Sequence, residues 1–295
     1  MKPLPFLNPA AGSPAVRNPV RPAVIVPTQA VDAEELTAQC AAAAATGAVD
    51  AIEWRIDPLL AQTAVAEAAI GDGAHPEDLF AEAATRTEEV LRLLPHAAAA
   101  GLPILLTVRT AFEGGLVEIT EGAYAEVLRR LITGVTGAEA GPGGSAAADG
   151  AGNATVPVAI DVEIDRAESR ALIAAAKENG VPIVASHHNF TATDPLEELR
   201  ATFRTMAEAG ADVAKVAMMP QTPADVLRLL DATAEAAASS SHPVLGISMG
   251  PLGRTSRIMG SDFGSCASFA QLGTASAPGQ IDAVDLAEVY DRIYR

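Results

Sequence analysis

Short apolar runs alternate with longer stretches of helical periodicity along most of this chain. The runs cover residues 23–26, 51–56, 103–109, 156–164, 182–188, 212–219, 243–249 and, less sharply, 265–272. They are almost continuously apolar, the mark of strands covered on both faces. The stretches between them carry helix ends. Asp32 opens a helix that closes at Gly47, and another runs from Pro76 towards Gly101. Asp194-Pro195 and Thr222-Pro223 each set a cap before a proline in the first helical position. The final segment, 282–294, is amphipathic through Val284, Leu286, Val289 and Ile293. Eight strand–helix alternations in 295 residues predict parallel βαβ units closed into a (β/α)8 TIM barrel rather than an open sheet. No Gly-x-Gly-x-x-Gly follows the first run, which argues against a dinucleotide site.

The pattern implies one barrel domain across residues 1–295. Residues 1–22 read as a Pro-rich N-terminal extension, 71–76 as a turn, and 137–155 as a flexible Gly/Ala-rich insertion. That insertion falls between a helix and a strand, at the barrel face remote from chemistry. A net charge of −17 makes nucleic acid and anionic membrane surfaces poor partners, so an anionic substrate must be caught by local arginines. The two cysteines, Cys40 and Cys266, offer neither a disulfide framework nor a metal spacing. With no apolar run at the start and none long enough to span a bilayer, the expected setting is the cytoplasm. The expected partner is a small molecule, with a homodimer left open.

Polar residues within apolar strands are the informative exceptions, because active sites of such barrels gather at the C-terminal strand ends. The sixth run holds Lys215 in its middle, one of only three lysines in the chain. A buried ammonium either pairs with an anion or sits neutral, and a neutral, desolvated lysine attacks carbonyl carbons. A structural lysine paired with a carboxylate is the competing reading. Strand periodicity puts Glu53, Arg55 and Asp57 on one face, where they neutralise one another or a ligand. The third run ends at Arg109, with Glu113 just beyond it and before a Gly-Gly turn; the fourth carries Asp161 and Glu163 on one face. The fifth ends in His187 and His188, of which only one can look into the site. After Met249 comes Arg257, on a short helix whose N-terminus and guanidinium together suit an anion. Residues 274–280 read either as a lid with hydroxyl and amide donors or as a plain surface loop. A lysine, a histidine, orienting acids and arginines make a set suited to chemistry at an anionic ketone.

Taken jointly, six stretches resemble type I 3-dehydroquinate dehydratase, a (β/α)8 enzyme of the shikimate pathway. They are Glu53-Trp-Arg-Ile-Asp57, Thr107-Val-Arg109 with Glu113-Gly-Gly115, Ser186-His-His-Asn-Phe190, Ala214-Lys-Val-Ala-Met-Met-Pro220, Ser256-Arg-Ile-Met-Gly260 with Phe263-Gly-Ser265, and Ser276-Ala-Pro-Gly-Gln280. They run in family order from about residue 23 to the end of the chain. The resemblance implies dehydration of 3-dehydroquinate through an imine on Lys215. His188 would be the proton shuttle, oriented by Glu113. Arg257 would hold the carboxylate, with Ser276 and Gln280 closing from the lid. Glu53, Arg55 and Arg109 would bind ring hydroxyls, with Met249 and Phe263 as apolar walls. No metal or organic cofactor is implied. The chain departs from its relatives at Val26-Pro27, where some place a serine near the substrate, at Asn189 after the shuttle histidine, and in the 137–155 insertion. A Schiff-base aldolase on a similar barrel is the alternative, against which the paired histidines and the Ser-Ala-Pro-Gly-Gln stretch argue.

Overall fold

The computed structural model describes residues 1–61, 76–139, 156–273 and 276–295. The apolar runs become β1 (Ala23–Thr28), β2 (Ala51–Arg55), β3 (Ile104–Thr107), β4 (Val158–Glu163), β5 (Ile183–Asn189), β6 (Val213–Met218), β7 (Val244–Ser248) and β8 (Ala267–Phe269). Their order is β7-β6-β5-β4-β3-β2-β1-β8, and every laddered pair is parallel. The two ends of that order meet at a parallel bridge between Val244 and Ser265, where the Cys266 amide donates to the Val244 carbonyl at 2.8 Å. The sheet thereby closes into the predicted (β/α)8 barrel, with helices in the connections.

Side-chain parity sorts each strand. On β6, Val213, Lys215 and Ala217 face the barrel interior, while Val216 and Met218 join the layer between strands and helices. Small and branched residues of every strand, among them Ala23, Ala51, Leu105, Ala159, Val184 and Ala267, fill the lower interior as a packed plug. Leu4 and Phe6 belong to that same cluster. The proline-rich start is therefore packed against the barrel rather than hanging from it. Arg21, with its side chain fully buried, secures it: Nη1 donates to Asp50 at 2.9 Å and Nε to Asp291 at 3.0 Å.

The helix Ala33–Ala45 begins as predicted, with Asp32 accepting from the Glu35 amide at 2.9 Å. Pro223–Ser239 likewise has proline in its first turn after Thr222. Asp194 does not cap its helix. Pro195 occupies the cap position of Leu196–Ala209 without a side-chain bond, because the Asp194 carboxylate turns back to the end of β5. The last helix, Ala283–Ile293, buries Ala283, Leu286, Ala287 and Tyr290. Val284 and Ile293, predicted on the buried face, are 39% and 43% exposed, because the rotation is set by Tyr290, whose hydroxyl donates to the Arg257 carbonyl. The helix Glu121–Glu139 absorbs the first residues of the predicted insertion, 137–139, as helix rather than loop. The remaining 140–155, and 71–75 of the predicted turn, lie outside the described residues. Among the described residues no helix is long and apolar enough to cross a membrane.

Candidate active site

A cavity of about 180 Å³ opens at the C-terminal ends of the strands, where their inward positions change from apolar to charged. Its walls include Glu53, Arg55, Arg109, His188, Lys215, Met249, Arg257, Ser276 and Gln280, nine of the eleven residues to which the resemblance gives a role. Lys215 is 4% exposed, and its Nζ lies 3.6 Å from both Glu53 Oε1 and Asp161 Oδ2. Both separations exceed hydrogen-bond length, so the carboxylates surround the amine without tying up its donors. The ring centroid of Phe269 lies 4.3 Å from the same nitrogen. Hence the aromatic wall is Phe269 and not Phe263. Parity explains the difference: Ala267 and Phe269 point inward along β8, whereas Phe263 ends a 3-10 turn before the strand, outside the cavity lining.

His188 faces the cavity, and its Nδ1 lies 2.8 Å from Glu113 Oε2. With Nδ1 engaged, Nε2 is the ring nitrogen left for a substrate. Burial, with the nearby charges of Arg109 and Lys215, holds the imidazole pKa well below its usual value, so the ring is neutral. His187 points to the other side, as neighbours in a strand must, with Asp165 at 2.6 Å and Asp194 at 3.0 Å. Glu113 lies behind the wall on the turn Ala111–Glu113, 1% exposed. The Gly-Gly that follows is a steric requirement: a Cβ on Gly115 would sit 1.9 Å from the Arg109 carbonyl oxygen, and Gly114 has φ +77.

Arg109 is the centre of a buried charge network. Its Nη1 donates to Glu113 at 2.6 Å, Glu163 at 3.0 Å and Ser186 at 3.1 Å, while Nη2 donates to Asp161 at 2.8 Å. Burial disfavours the charge, but Asp161, Glu113 and Glu163 outweigh it and raise the guanidinium pKa. Arg109 reaches the cavity wall, yet its terminal nitrogens are spent mainly on protein. Arg55 makes a bidentate pair with Asp57 at 2.6 and 2.8 Å, so the structural reading holds for Asp57 while Arg55 still lines the cavity. Glu53 Oε1 accepts from Thr107 at 3.0 Å.

Arg257 differs from the other arginines. It is 1% exposed, and its Nη1 and Nη2 donate to the carbonyls of Phe269 and Pro278, at 3.0 and 3.2 Å. No carboxylate pairs with it among the described residues. Burial pulls its pKa down to about 10. It sits in the last turn of the five-residue helix Arg254–Ile258, so its side chain does not share the helix N-terminus as the sequence suggested. The described part of the predicted lid folds over it. The Ser276 amide donates to Gln280 Oε1 at 2.9 Å, Gln280 Nε2 returns to Ser276 Oγ at 3.2 Å, and the Gly250 amide donates to Pro278 at 3.0 Å. Thr274 and Ala275 lie outside the described residues. Gly279 has φ +75, and a Cβ there would meet the Gly250 carbonyl oxygen at 2.3 Å. Gly279→Ala is expected to lift this segment and weaken anion capture, raising KM about tenfold or more at little cost to melting temperature; an unchanged KM in steady-state kinetics would count against the segment's role.

Sequence reasoning missed Gln29, Leu116, Phe190, Ile247 and Phe269 in the lining. Parity was the available signal for three of them: Gln29 continues the inward series Ala23, Ile25, Pro27, while Ile247 shares the face of Met249 and Phe269 that of Ala267. A larger hollow of about 570 Å³ adjoins the cavity and shares Gln29 and Ser276, but its lining holds Glu35 and no cation. An anionic ketone would find its counter-charge only in the smaller one.

Comparison with known proteins bears on the chain as a whole. The model of the family described as Type I 3-dehydroquinase matches residues 24–140 and 149–295. A 3-dehydroquinate dehydratase of Listeria monocytogenes is 32% identical over 251 residues, 84% of this chain and 83% of that protein. One of Lactiplantibacillus plantarum is 34% identical over 234 residues, 79% and 77% of the two chains. The crystal structure of 3-dehydroquinate dehydratase from Geobacillus kaustophilus superposes with a TM-score of 0.72 at 28% identity, covering 92% of this chain and 91% of that one. With its barrel and sequence matched along nearly their whole length, the chain belongs to the type I 3-dehydroquinase family.

Proposed function

We propose that this chain is a hydro-lyase that converts 3-dehydroquinate to 3-dehydroshikimate through a covalent imine on Lys215, within the shikimate pathway of aromatic amino acid biosynthesis. One observation carries the reading: a single cavity holds a buried lysine, a neutral histidine and an arginine with no carboxylate partner among the described residues. Arg257 takes the substrate carboxylate, offsetting its own cost of burial, and Ser276 and Gln280 close over it. Glu53, Arg55 and Arg109 hold the ring hydroxyls, and Met249 packs against the ring. The Lys215 amine adds to the ketone carbon, and the carbinolamine loses water to give a protonated imine. The imine draws electrons from C2, so His188 Nε2 removes the C2 proton to leave an enamine. As the enamine electrons return, the C1–O bond breaks and His188 hands the proton to the departing hydroxyl, which leaves as water. Hydrolysis of the conjugated imine then releases product and restores the amine.

Glu113 fixes the tautomer of His188 throughout, because its Oε2 is the partner of Nδ1. Protein groups supply the acid, the base and the attacking amine in these steps, and water is the nucleophile of the final hydrolysis. The acidic surface and the two buried free thiols, Cys40 and Cys266, support a reducing, cytoplasmic setting. His188→Ala is expected to lower kcat by roughly 10²–10⁴-fold. Sodium borohydride with substrate should still trap an adduct on Lys215 in that variant, since the amine is intact. Near-normal turnover of His188→Ala would move the shuttle elsewhere. The reading itself is tested by treating the protein with 3-dehydroquinate and borohydride and mapping the modified peptide. Reduction of the trapped imine on any residue other than Lys215 would overturn it.

A further inference from the structure

Behind the cavity wall lies a second cluster of titratable groups that the reaction sequence above leaves unused. Glu113 accepts two hydrogen bonds on Oε2, from Arg109 at 2.6 Å and His188 at 2.8 Å, while its Oε1 is buried with no hydrogen-bond partner. The group facing that bare oxygen is His187, whose Nδ1 is 4.0 Å away. His187 is held from two further elements. Asp165, just after β4, meets Nδ1 at 2.6 Å, and Asp194, from the loop after β5, meets Nε2 at 3.0 Å. Asp194 also accepts from Asn189 at 2.8 Å, which fixes its own orientation. This use of Asp194 is why the following helix lacks its cap.

We infer that His187 is a positioning residue: clamped as an imidazolium between Asp165 and Asp194, it faces the unpartnered oxygen of Glu113, favours the ionised carboxylate, and so keeps Nδ1 of His188 as the donor and Nε2 free as the base. The inference rests on the imine reading above and deepens it, because His187 touches no reacting atom.

The charges around each group bear this out. An imidazole with a carboxylate on each nitrogen must protonate both nitrogens to satisfy them. Burial opposes the charge, but the two aspartates and Glu113 overcome it and push the pKa of His187 to about 9. Glu113 has the opposite problem. Burial, with Glu163 and Asp161 close by, drives its pKa up to about 8, and Arg109 and His187 pull against that rise. Arg109 is shared among three carboxylates, so the imidazolium is the one cation pairing with the Oε1 side among the described residues. Glu113, Asp165 and His187 also have the spacing of metal ligands. An imidazolium, however, has no lone pair to offer a cation.

The test is the pH profile of kcat/KM. In the parent protein the acid limb is expected to report ionisation of the Glu113–His188 pair. Removing a cation about 4 Å away raises a carboxyl pKa by roughly 1–3 units. His187→Gln should therefore move the acid limb upward by that amount, an about tenfold or greater loss at neutral pH, while the alkaline plateau of kcat is retained. His187→Lys keeps the charge and should keep the limb near its original place. Asp165→Asn, at a half-exposed position, weakens the clamp and should move the limb the same way by less; it carries the test should His187→Gln fail to fold. A His187→Gln profile that superimposes on the parent after scaling overturns the inference, because a purely structural role lowers the plateau without moving the limb. Borohydride trapping is run alongside. Parent protein that yields no adduct overturns the imine reading and this inference with it, whereas an adduct with an unmoved limb overturns this inference alone.

Discussion

Lys215→Met is expected to abolish turnover and borohydride trapping together. Methionine preserves the length and apolar stem of the side chain, so the packing against Phe269 survives while the nucleophile is removed. Loss of the covalent route costs more than any one proton-transfer aid, so kcat should fall by at least about 10⁴-fold. Glu53 and Asp161 lose the neighbouring amine at 3.6 Å, but neither was bonded to it within hydrogen-bond distance, and Asp161 keeps Arg109 and Ser186. Folding should therefore be largely retained, and the substrate carboxylate should still find Arg257. Binding of 3-dehydroquinate by calorimetry, with no turnover and no mass increment after reduction, is the expected combination. Turnover above about one part in a hundred of the parent rate would remove the lysine from the mechanism.

Arg109→Met should show the largest loss of stability of any single substitution in the site. The guanidinium offsets Glu113, Asp161 and Glu163, all of them at most 1% exposed. Breaking a buried pair from one side typically costs about 3–5 kcal/mol, because a charge loses its compensation; here Glu163 keeps Arg166 at 3.0 Å, while Asp161 and Glu113 both lose their closest cation. Chemical denaturation at neutral pH should show a loss of at least that size. Part of it should return at low pH, where the carboxylates take up protons instead. The sign follows from linkage: burial without a cation raises folded carboxyl pKa values above their unfolded values, so their penalty is relieved as pH falls. A loss below about 1 kcal/mol would mean that water or another cation reaches the network.

What could be read from the sequence follows the range of each physical signal. Strand order, barrel class and the placement of Lys215 rest on local periodicity. A lysine in a run of small and β-branched residues stands out without any knowledge of its neighbours. The pairing of His188 with Glu113 rests on the family resemblance, since 75 residues separate them. Convergence was harder to see. Asp161 and Glu163 were visible as two acids on one face, but their shared dependence on Arg109 exists only once β3 and β4 are side by side. Phe263 stands out in the sequence because it lies within a motif, while the inward face of β8, which carries Phe269, is decided by pairing with β1. Asp194 looked like a helix cap for the same reason: its nearest sequence feature was a helix, and its real partner, His187, comes from the end of the preceding strand.

The tucked start of the chain also bears on traffic. With Leu4 and Phe6 stoppering a solid apolar plug beneath the catalytic layer, nothing crosses the ring from one face to the other. Among the described residues, the cavity is therefore reached from the face at the C-terminal strand ends, whose lining includes Ser276 and Gln280. Substrate and product would then share that one face, so the pace at which product clears it bears on the working rate as much as the chemistry inside.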